Sequence, residues 1–375
     1  MPLSPIYGTV AIRELEARSG ATDLMARAGE AAAELARGLC GDTAKAVLIL
    51  AGPGNNGGDA FEAAVHLKRW FFRVSLVFAG DRDKLPVDAR AALAKWEAEG
   101  GTLLESIPER ARFDLAVDGL FGIGLKRPLT GRHAALVDRI NASGVPILSL
   151  DVPSGIDADT GAVMGCAVRA SHTVTFIAYK PGQLTLDGPD HCGELKLDTL
   201  GLEPAALLEP EGALLDADIL AAAVAPRPRN FHKGQAGSVG ILGGAASMVG
   251  AAVITGRAAL RCGAGRVYLG LLAPRPPQVD DANPELMLRS PAALSEEGLL
   301  DALVAGPGMG KADSARKALR AALATPVPLV LDADALNLIA ASRPLSEAVA
   351  RRSAATLMTP HPAEAARLLG RMTPA

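Results

Sequence analysis

Residues 47–59 constrain this chain more than any other stretch. Val47-Leu48-Ile49-Leu50-Ala51 is apolar and β-prone. Gly52-Pro53-Gly54-Asn55-Asn56-Gly57-Gly58-Asp59 then breaks the strand, and a helix is expected over Ala60–Trp70. Strand, glycine turn and helix in that order make half of a parallel βαβ unit. In an open parallel sheet, ligands sit beyond the carboxyl ends of the strands. Glycines let backbone approach a ligand, and the first N–H groups of a helix point outward at it.

The same grammar recurs along the chain. Thr9–Leu39 predicts two helical pieces broken at Ser19-Gly20, the second capped by Thr22 or Asp23. Strands are expected over Val74–Ala79, Asp114–Phe121, Pro146–Asp151, Thr173–Ala178 and Glu194–Asp198, with helices over Lys84–Glu99 and Arg132–Ala142. This alternation gives a doubly wound α/β sheet. Gly201–Leu215 has Glu203-Pro204, Glu209-Pro210 and Gly212 and no steady period, so the domain boundary is expected there, between units 1–205 and 213–375. A second α/β run follows. Its strands are expected at Ser238–Gly244, Arg266–Leu272, Leu300–Ala305 and Leu329–Leu336, with a further strand ending in Thr356–Pro362. Its helices are Val249–Cys262, Ala312–Leu323 and one beginning at Ala363.

Composition narrows the function classes. With 49% hydrophobic residues and only 3% aromatics, the core must be built from Ala, Val, Leu and Ile. A net charge of −3 offers no footprint for nucleic acid. Four cysteines without CxxC, and six histidines without a paired spacing, argue against zinc and for reduced thiols. No apolar run reaches the ~20 residues of a membrane span, and Arg13, Glu14 and Glu16 interrupt any export signal. A cytoplasmic protein with a small-molecule ligand is the expectation.

Gly52-x-Gly54-x-x-Gly57, with Asp81 further along, formally matches a dinucleotide fingerprint. On its own such a match serves chain reversal as readily as binding. Asn55-Asn56-Gly57-Gly58-Asp59 is more polar than a pyrophosphate turn requires. Asn56, Asp118 and the Asp151/Ser154 turn put oxygen donors on three strand tips, about 5 Å apart when adjacent. Singly, each acid reads as a helix cap or surface tip; together they suit a hard cation. Lys126-Arg127, in the loop from Gly122 to Gly131, is either a solvated basic pair or a phosphate clamp. Ser154 lacks a GxSxG elbow, and no GxxxxGK[ST] is present.

Leu24–Gly29, Gly52–Asp59, Asp118–Leu129 and Leu150–Gly155 together resemble the NAD(P)H-hydrate epimerase family. His232-Lys233-Gly234, Gly243-Gly244, Gly250-Ala251-Ala252, Gly306–Gly310, Asp332–Asn337 and Thr359–Glu364 resemble the ADP-dependent NAD(P)H-hydrate dehydratases. The resemblance implies a Rossmann-like three-layer sandwich followed by an incomplete ribokinase-like domain. It implies repair of NADH and NADPH hydrated at C6 of the nicotinamide: R and S forms (NADHX and NADPHX) are interconverted, and the S form is dehydrated at the expense of ADP. Potassium would be held by Asn56, Asp118 and Ser154. Asn55, Asn56, Gly57, Gly58 and Asp59 would contact the hydrate. Gly122, Ile123, Gly124, Leu125, Lys126, Arg127 and Pro128 would close over its phosphates, with Lys126 an electrostatic contributor to catalysis. Asp151 would be the acid/base. Ala252, Gly308, Gly310 and His361 would line the second pocket, Mg2+ is an optional companion of the nucleotide, and a homo-oligomer is expected. Ala60 stands where relatives often have glycine. The family's later GxGD segment does not occur before Ala375, so the dehydratase step is expected to be defective in this chain. Two other readings stand beside this one: an NAD-dependent dehydrogenase using Asp81, and a truncated nucleotide-binding module without catalysis.

Overall fold

A computed structural model describes residues 4–41, 45–215, 221, 224, 226–296 and 298–370. The expected outer domain limits, residues 1 and 375, lie outside these. The chain divides into two compact units, Met1–Ala225 and Pro226–Ala375.

In the first unit, β2 (Ala46–Ala51), β3 (Arg73–Phe78), β4 (Leu103–Leu104), β5 (Leu115–Gly119), β6 (Ile147–Leu150), β7 (His172–Phe176) and β8 (Glu194–Asp198) form one parallel sheet. Its order is β4-β3-β2-β5-β6-β7-β8. All six residues of β2 are buried, as a central strand covered on both faces requires. Val47, Ile49 and Ala51 face a core made with α1 (Thr9–Ser19), α2 (Leu24–Cys40), α3 (Asn55–Arg69) and α4 (Val87–Ala98). Leu48 faces the other layer, with Leu136, Val137 and Ile140 of α5 (Gly131–Asn141). Side chains alternating across a strand produce the three-layer sandwich. Small residues let the helices close up: a Cβ on Gly29 of α2 would stand 2.2 Å from Cβ of Glu62 on α3.

Two local expectations for this unit change. Asp23 occupies the N-cap position of α2, but its side chain caps nothing and instead pairs with Arg27. The segment after Gly201 does not separate the units. Short α6 (Pro181–Leu184), α7 (Gly188–Cys192) and α8 (Pro204–Leu207) lead to β9 (Gly212–Leu214), which pairs antiparallel with β1 (Ser4–Ile6). Tyr7 Oη donates to Leu208 O at 2.6 Å and Gly8 N to Glu211 Oε2 at 2.8 Å, tying this segment to the first unit. Three-residue strands carry too little periodicity to be read from sequence.

The second unit repeats the architecture. β10 (Ser238–Gly243), β11 (Arg266–Leu271), β12 (Met287–Arg289), β13 (Ala302–Ala305), β14 (Leu329–Leu331) and β15 (Thr356–Met358) are parallel in the order β12-β11-β10-β13-β14-β15. Ile241, Val267 and Leu269 pack toward α9 (Val249–Arg261), and Leu303, Leu329 and Leu331 toward α10 (Asp313–Ala324) and α11 (Asp334–Ala340). Among the described residues no helix is long and apolar enough to cross a membrane.

Candidate active site

In the first sheet the chain leaves β2 toward β3 and β4, then returns to place β5 on β2's other side. This reversal opens a crevice at the carboxyl ends of β2 and β5, where α/β proteins bind ligands. Helix α3 begins at Asn55, so Asn55–Asp59 is not the loop expected but the helix's first turns. Gly54, in extended conformation, is the N-cap and offers no side chain. The N–H groups of Asn55, Asn56 and Gly57 thus point out of the helix end without a capping side chain, ready for an anion.

Three of these glycines, Gly52, Gly57 and Gly58, are also required by packing, whereas Gly54 has open space where a Cβ would be. A Cβ on Gly57 would stand 2.0 Å from Gly52 O, and one on Gly58 2.5 Å from Sδ of Met25. A Cβ on Gly52 would stand 1.7 Å from Leu120 O. They let the β2 turn lie against the β5 turn and the helices meet.

Asp118 is fully buried at the end of β5. Its carboxylate accepts from Ser154 Oγ at 2.6 Å, Ser154 N at 2.8 Å and Ser149 Oγ at 2.9 Å. Burial pushes its pKa up, and the hydrogen bonds from Ser154 and Ser149 oppose that. No cationic side chain is among its hydrogen-bond partners. Asn56 is buried nearby on α3, and both its Oδ1 and Nδ2 lack a hydrogen-bond partner. An unsatisfied buried amide is costly, by about 1–3 kcal/mol. A buried carboxylate with no cationic partner among the described residues, an idle amide oxygen and the Ser154 hydroxyl form a hard-oxygen donor set. These residues therefore fit a monovalent cation such as potassium.

Asp151 follows β6 in left-handed conformation, with φ of 63°. Asp tolerates this region better than most residues. The conformation is held by its N–H to Val174 O at 2.7 Å and by Gln183 Nε2 donating to its carbonyl at 2.6 Å. Oδ1 is ion-paired with Lys180 Nζ, and Oδ2 lies 3.4 Å from the Ile123 N–H. Lys180 is fully buried, and its ammonium also donates to Thr175 Oγ1 and Phe176 O, each at 2.8 Å. A Cβ on Gly122 would lie 2.9 Å from Asp151 Oδ2 and 3.3 Å from Asn56 Oδ1, so that glycine joins the cation pocket to the aspartate. Two more carboxyls approach. Asp59 retains partial exposure, yet desolvation chiefly, then Asp151, Glu16 and Glu62, raises its pKa well above the ordinary carboxylate value, against Lys180. Glu16 of α1 is exposed at its rim; desolvation of its carboxyl and then Asp151 raise it, against Lys180 and Arg13.

The cation at Asp151 is thus Lys180 and not Lys126. Lys126 and Arg127 are exposed, with no hydrogen bond or ion pair among the described residues, while Leu125 is buried beneath them. Pro128 is exposed, and Gly124 has open space where a Cβ would be. Lys180, Gln183 and Glu16 escape sequence reasoning because their strand tip and helix are remote in the chain. The available signal is Tyr179-Lys180-Pro181 directly after β7, the strand next to β6.

The second sheet reverses between β10 and β13. Gly244 N donates to Pro307 O at 3.0 Å and Ala245 N to Gly308 O at 2.7 Å, joining the two turns. Ala252 is buried on α9, and Gly308 (φ 59°) closes on Met248 and Ala251. Gly310 N donates to Asp334 Oδ2 at 2.8 Å. Ala252 lies against Gly244, and Gly308 and Gly310 both close on Met248. His361 is the N-cap of α13 (Pro362–Leu368), reading α12 as Arg343–Ala350, and its Nδ1 accepts from Ala363 N at 3.2 Å. Its capping role is the one the structure gives it; no hydrogen bond joins it to the Gly308 turn.

An uncapped helix end, a hard-oxygen donor set and a lysine-paired aspartate lie at one strand switch point, the place where open α/β sheets bind their ligands. The family model described as YjeF-related protein N-terminus matches residues 21–182, and that described as NAD(P)H-hydrate dehydratase matches residues 239–374. The chain is 39% identical to the bifunctional NAD(P)H-hydrate repair enzyme of Coxiella burnetii, over 98% of this chain and 76% of that one. It is 38% identical to the Escherichia coli enzyme, over 93% of this chain and 67% of that one. The chain belongs to the bifunctional NAD(P)H-hydrate repair enzyme family.

Proposed function

We propose that the first unit epimerises the R and S hydrates of NADH and NADPH at Asp151, and that the second dehydrates the S form with ADP. The observation that carries the first part is the Asp151 carboxylate, fixed by Lys180 and Gln183, beside the unsatisfied Asn56 at the switch point. The reacting carbon bears a hydroxyl and the ring nitrogen. Protonating the hydroxyl lets it leave as water while the nitrogen lone pair stabilises the cation. Water returns on the other face and gives a proton to a carboxylate, so the step is balanced and redox-neutral. Asp59, held toward its protonated form, suits the acid, and Asp151 the base. The ligand's phosphates would lie on the N-terminus of α3, under the Gly122–Pro128 loop, with exposed Lys126 and Arg127 available to them. Asp81, which a dehydrogenase would need free, is engaged by the Asp83 N–H and Lys84.

Asn56, Asp118 and Ser154 would hold potassium, which would supply positive charge beside the phosphates and a partner for Asn56 Oδ1. Ligand binding to the folded state raises Tm with concentration. Potassium should raise the Tm of the wild type above that in a tetramethylammonium salt of equal ionic strength, and Asn56→Ala should lose most of that gain. Equal gains in both proteins would sink the assignment.

In the second unit, Ala252 and the Gly308/Gly310 turn are the proposed hydrate contacts, with His361 following β15 of the same parallel sheet as a further one. The expectation of a defective dehydratase has no support from the family match, which extends over 239–374. ADP, with Mg2+, is therefore proposed as the driving nucleotide. The test gives the full chain S hydrate with and without ADP and follows NADH absorbance; recovery only with ADP is expected, and no recovery contradicts it. Assembly as a homo-oligomer is proposed alongside, readable by light scattering.

A further inference from the structure

We propose that Lys180 is a positioning residue for the epimerisation: its buried ammonium fixes the Asp151 carboxylate and selects it, among three neighbouring carboxyls, as the group that takes the proton. The inference rests on the reading of Asp151 as the base. Its geometry is independent of that reading.

Lys180 has no exposed surface, so it does not touch substrate and acts only through its neighbours. Its three N–H groups meet three acceptors: Asp151 Oδ1, Thr175 Oγ1 and Phe176 O. A lysine ammonium has three donors and no acceptor, so this set is complete and fixes the group in direction as well as position. The remaining restraints run through the same few residues. Gln183, three residues on, clamps the Asp151 carbonyl and also accepts the Lys180 N–H at 2.9 Å. Pro181 starts the short helix that carries Gln183. Asp151, by contrast, keeps 13% of its side-chain surface open, and its other oxygen, Oδ2, faces Gly122 and the cleft. One oxygen is tethered and the other is presented.

A buried ion pair is poor evidence for stability, because desolvating both charges offsets the attraction. The pair is here placed under a cleft, at the tip of β7 beside β6, where a well-packed apolar residue would serve folding as well. The three carboxyls that meet there come from three elements: Glu16 from α1, Asp59 from α3, and Asp151 after β6. Of the three carboxyls, Lys180 hydrogen-bonds only that of Asp151. Arg13 lies near Glu16, and Lys126 and Arg127 stand exposed in the loop. Among the described residues the buried Lys180 ammonium hydrogen-bonds one of the three carboxyls and not the other two, and that makes three similar groups unequal.

The test measures kcat and KM for epimerisation of R-NADHX by the full chain carrying Lys180→Met, Lys180→Arg or Thr175→Val, with Asp151→Asn as reference. Lys180→Met should lower kcat about 100-fold or more with KM within a few-fold, and Lys180→Arg should recover part of that loss. Thr175→Val, which removes one tether at constant volume, should lower kcat several-fold with KM unchanged. If Lys180→Met folds by circular dichroism and keeps kcat within threefold of wild type, or if only KM changes, the proposal is overturned. If Lys180→Met does not fold, Thr175→Val decides by the same criterion. Full activity in Asp151→Asn would instead refute the underlying reading of the base. An inactive Asp151→Asn beside an active Lys180→Met refutes the positioning role alone.

Discussion

Asp59 and Asp151 share a chemistry and a cleft but not an environment. Asp151 has a direct ammonium partner, whereas Asp59 has none, and desolvation and neighbouring negative charge raise its pKa. The folded state therefore holds the Asp59 proton more tightly than the unfolded chain does. Stability is then fully present below the unfolded pKa, near 4, and is lost as pH rises through the folded value. Asp59→Asn removes that loss. Its Tm should exceed wild type at pH 8, with the gap narrowing as pH falls toward 4.5, while its epimerase rate drops. Thermal melts across that range check it, and a gap that widens at low pH would contradict the assignment. A residue that costs stability where the protein works is expected at an active site.

At the scale of elements, the glycines of the α3 start separate two explanations. Propensity alone says that alanine at Gly57 should stabilise the helix by about 1 kcal/mol. The 2.0 Å approach of its Cβ to the Gly52 carbonyl says the reverse, because the neighbour is backbone. Overpacking costs typically about 1–3 kcal/mol, so the clash wins and Gly57→Ala should lower stability in a denaturant melt. The alternation of strand and helix was legible from Val47–Ala51 onward, because apolar runs and glycine turns are local signals. The Asn56, Asp118 and Ser154 grouping was legible too, since each ends a strand or opens a helix at a recognisable turn. Three things were not. The helix start at Asn55 was hidden because two glycines look like a loop until the packing that requires them is seen. The β1–β9 pairing joins Ser4–Ile6 to Gly212–Leu214 across most of the first unit, and nothing local announces it. The Lys180–Asp151 pair joins the turn after β7 to the turn after β6 across 29 residues of chain, and no local signal announces it.

Across the whole molecule, each unit carries its own parallel sheet, its own switch point and its own glycine turns joined there. In a family that pairs the two reactions on one chain, the first unit makes R hydrate usable by the second. That account stands or falls on the carboxylate at the end of β6. The direct measurement follows conversion of pure R-NADHX to the S form by the full chain in potassium buffer, comparing wild type with Asp151→Asn. Loss of a positioned acid/base group typically lowers rate by about 10²–10⁴-fold, and a fall in that range at preserved Tm is the result predicted. A variant that epimerises at the wild-type rate would contradict it.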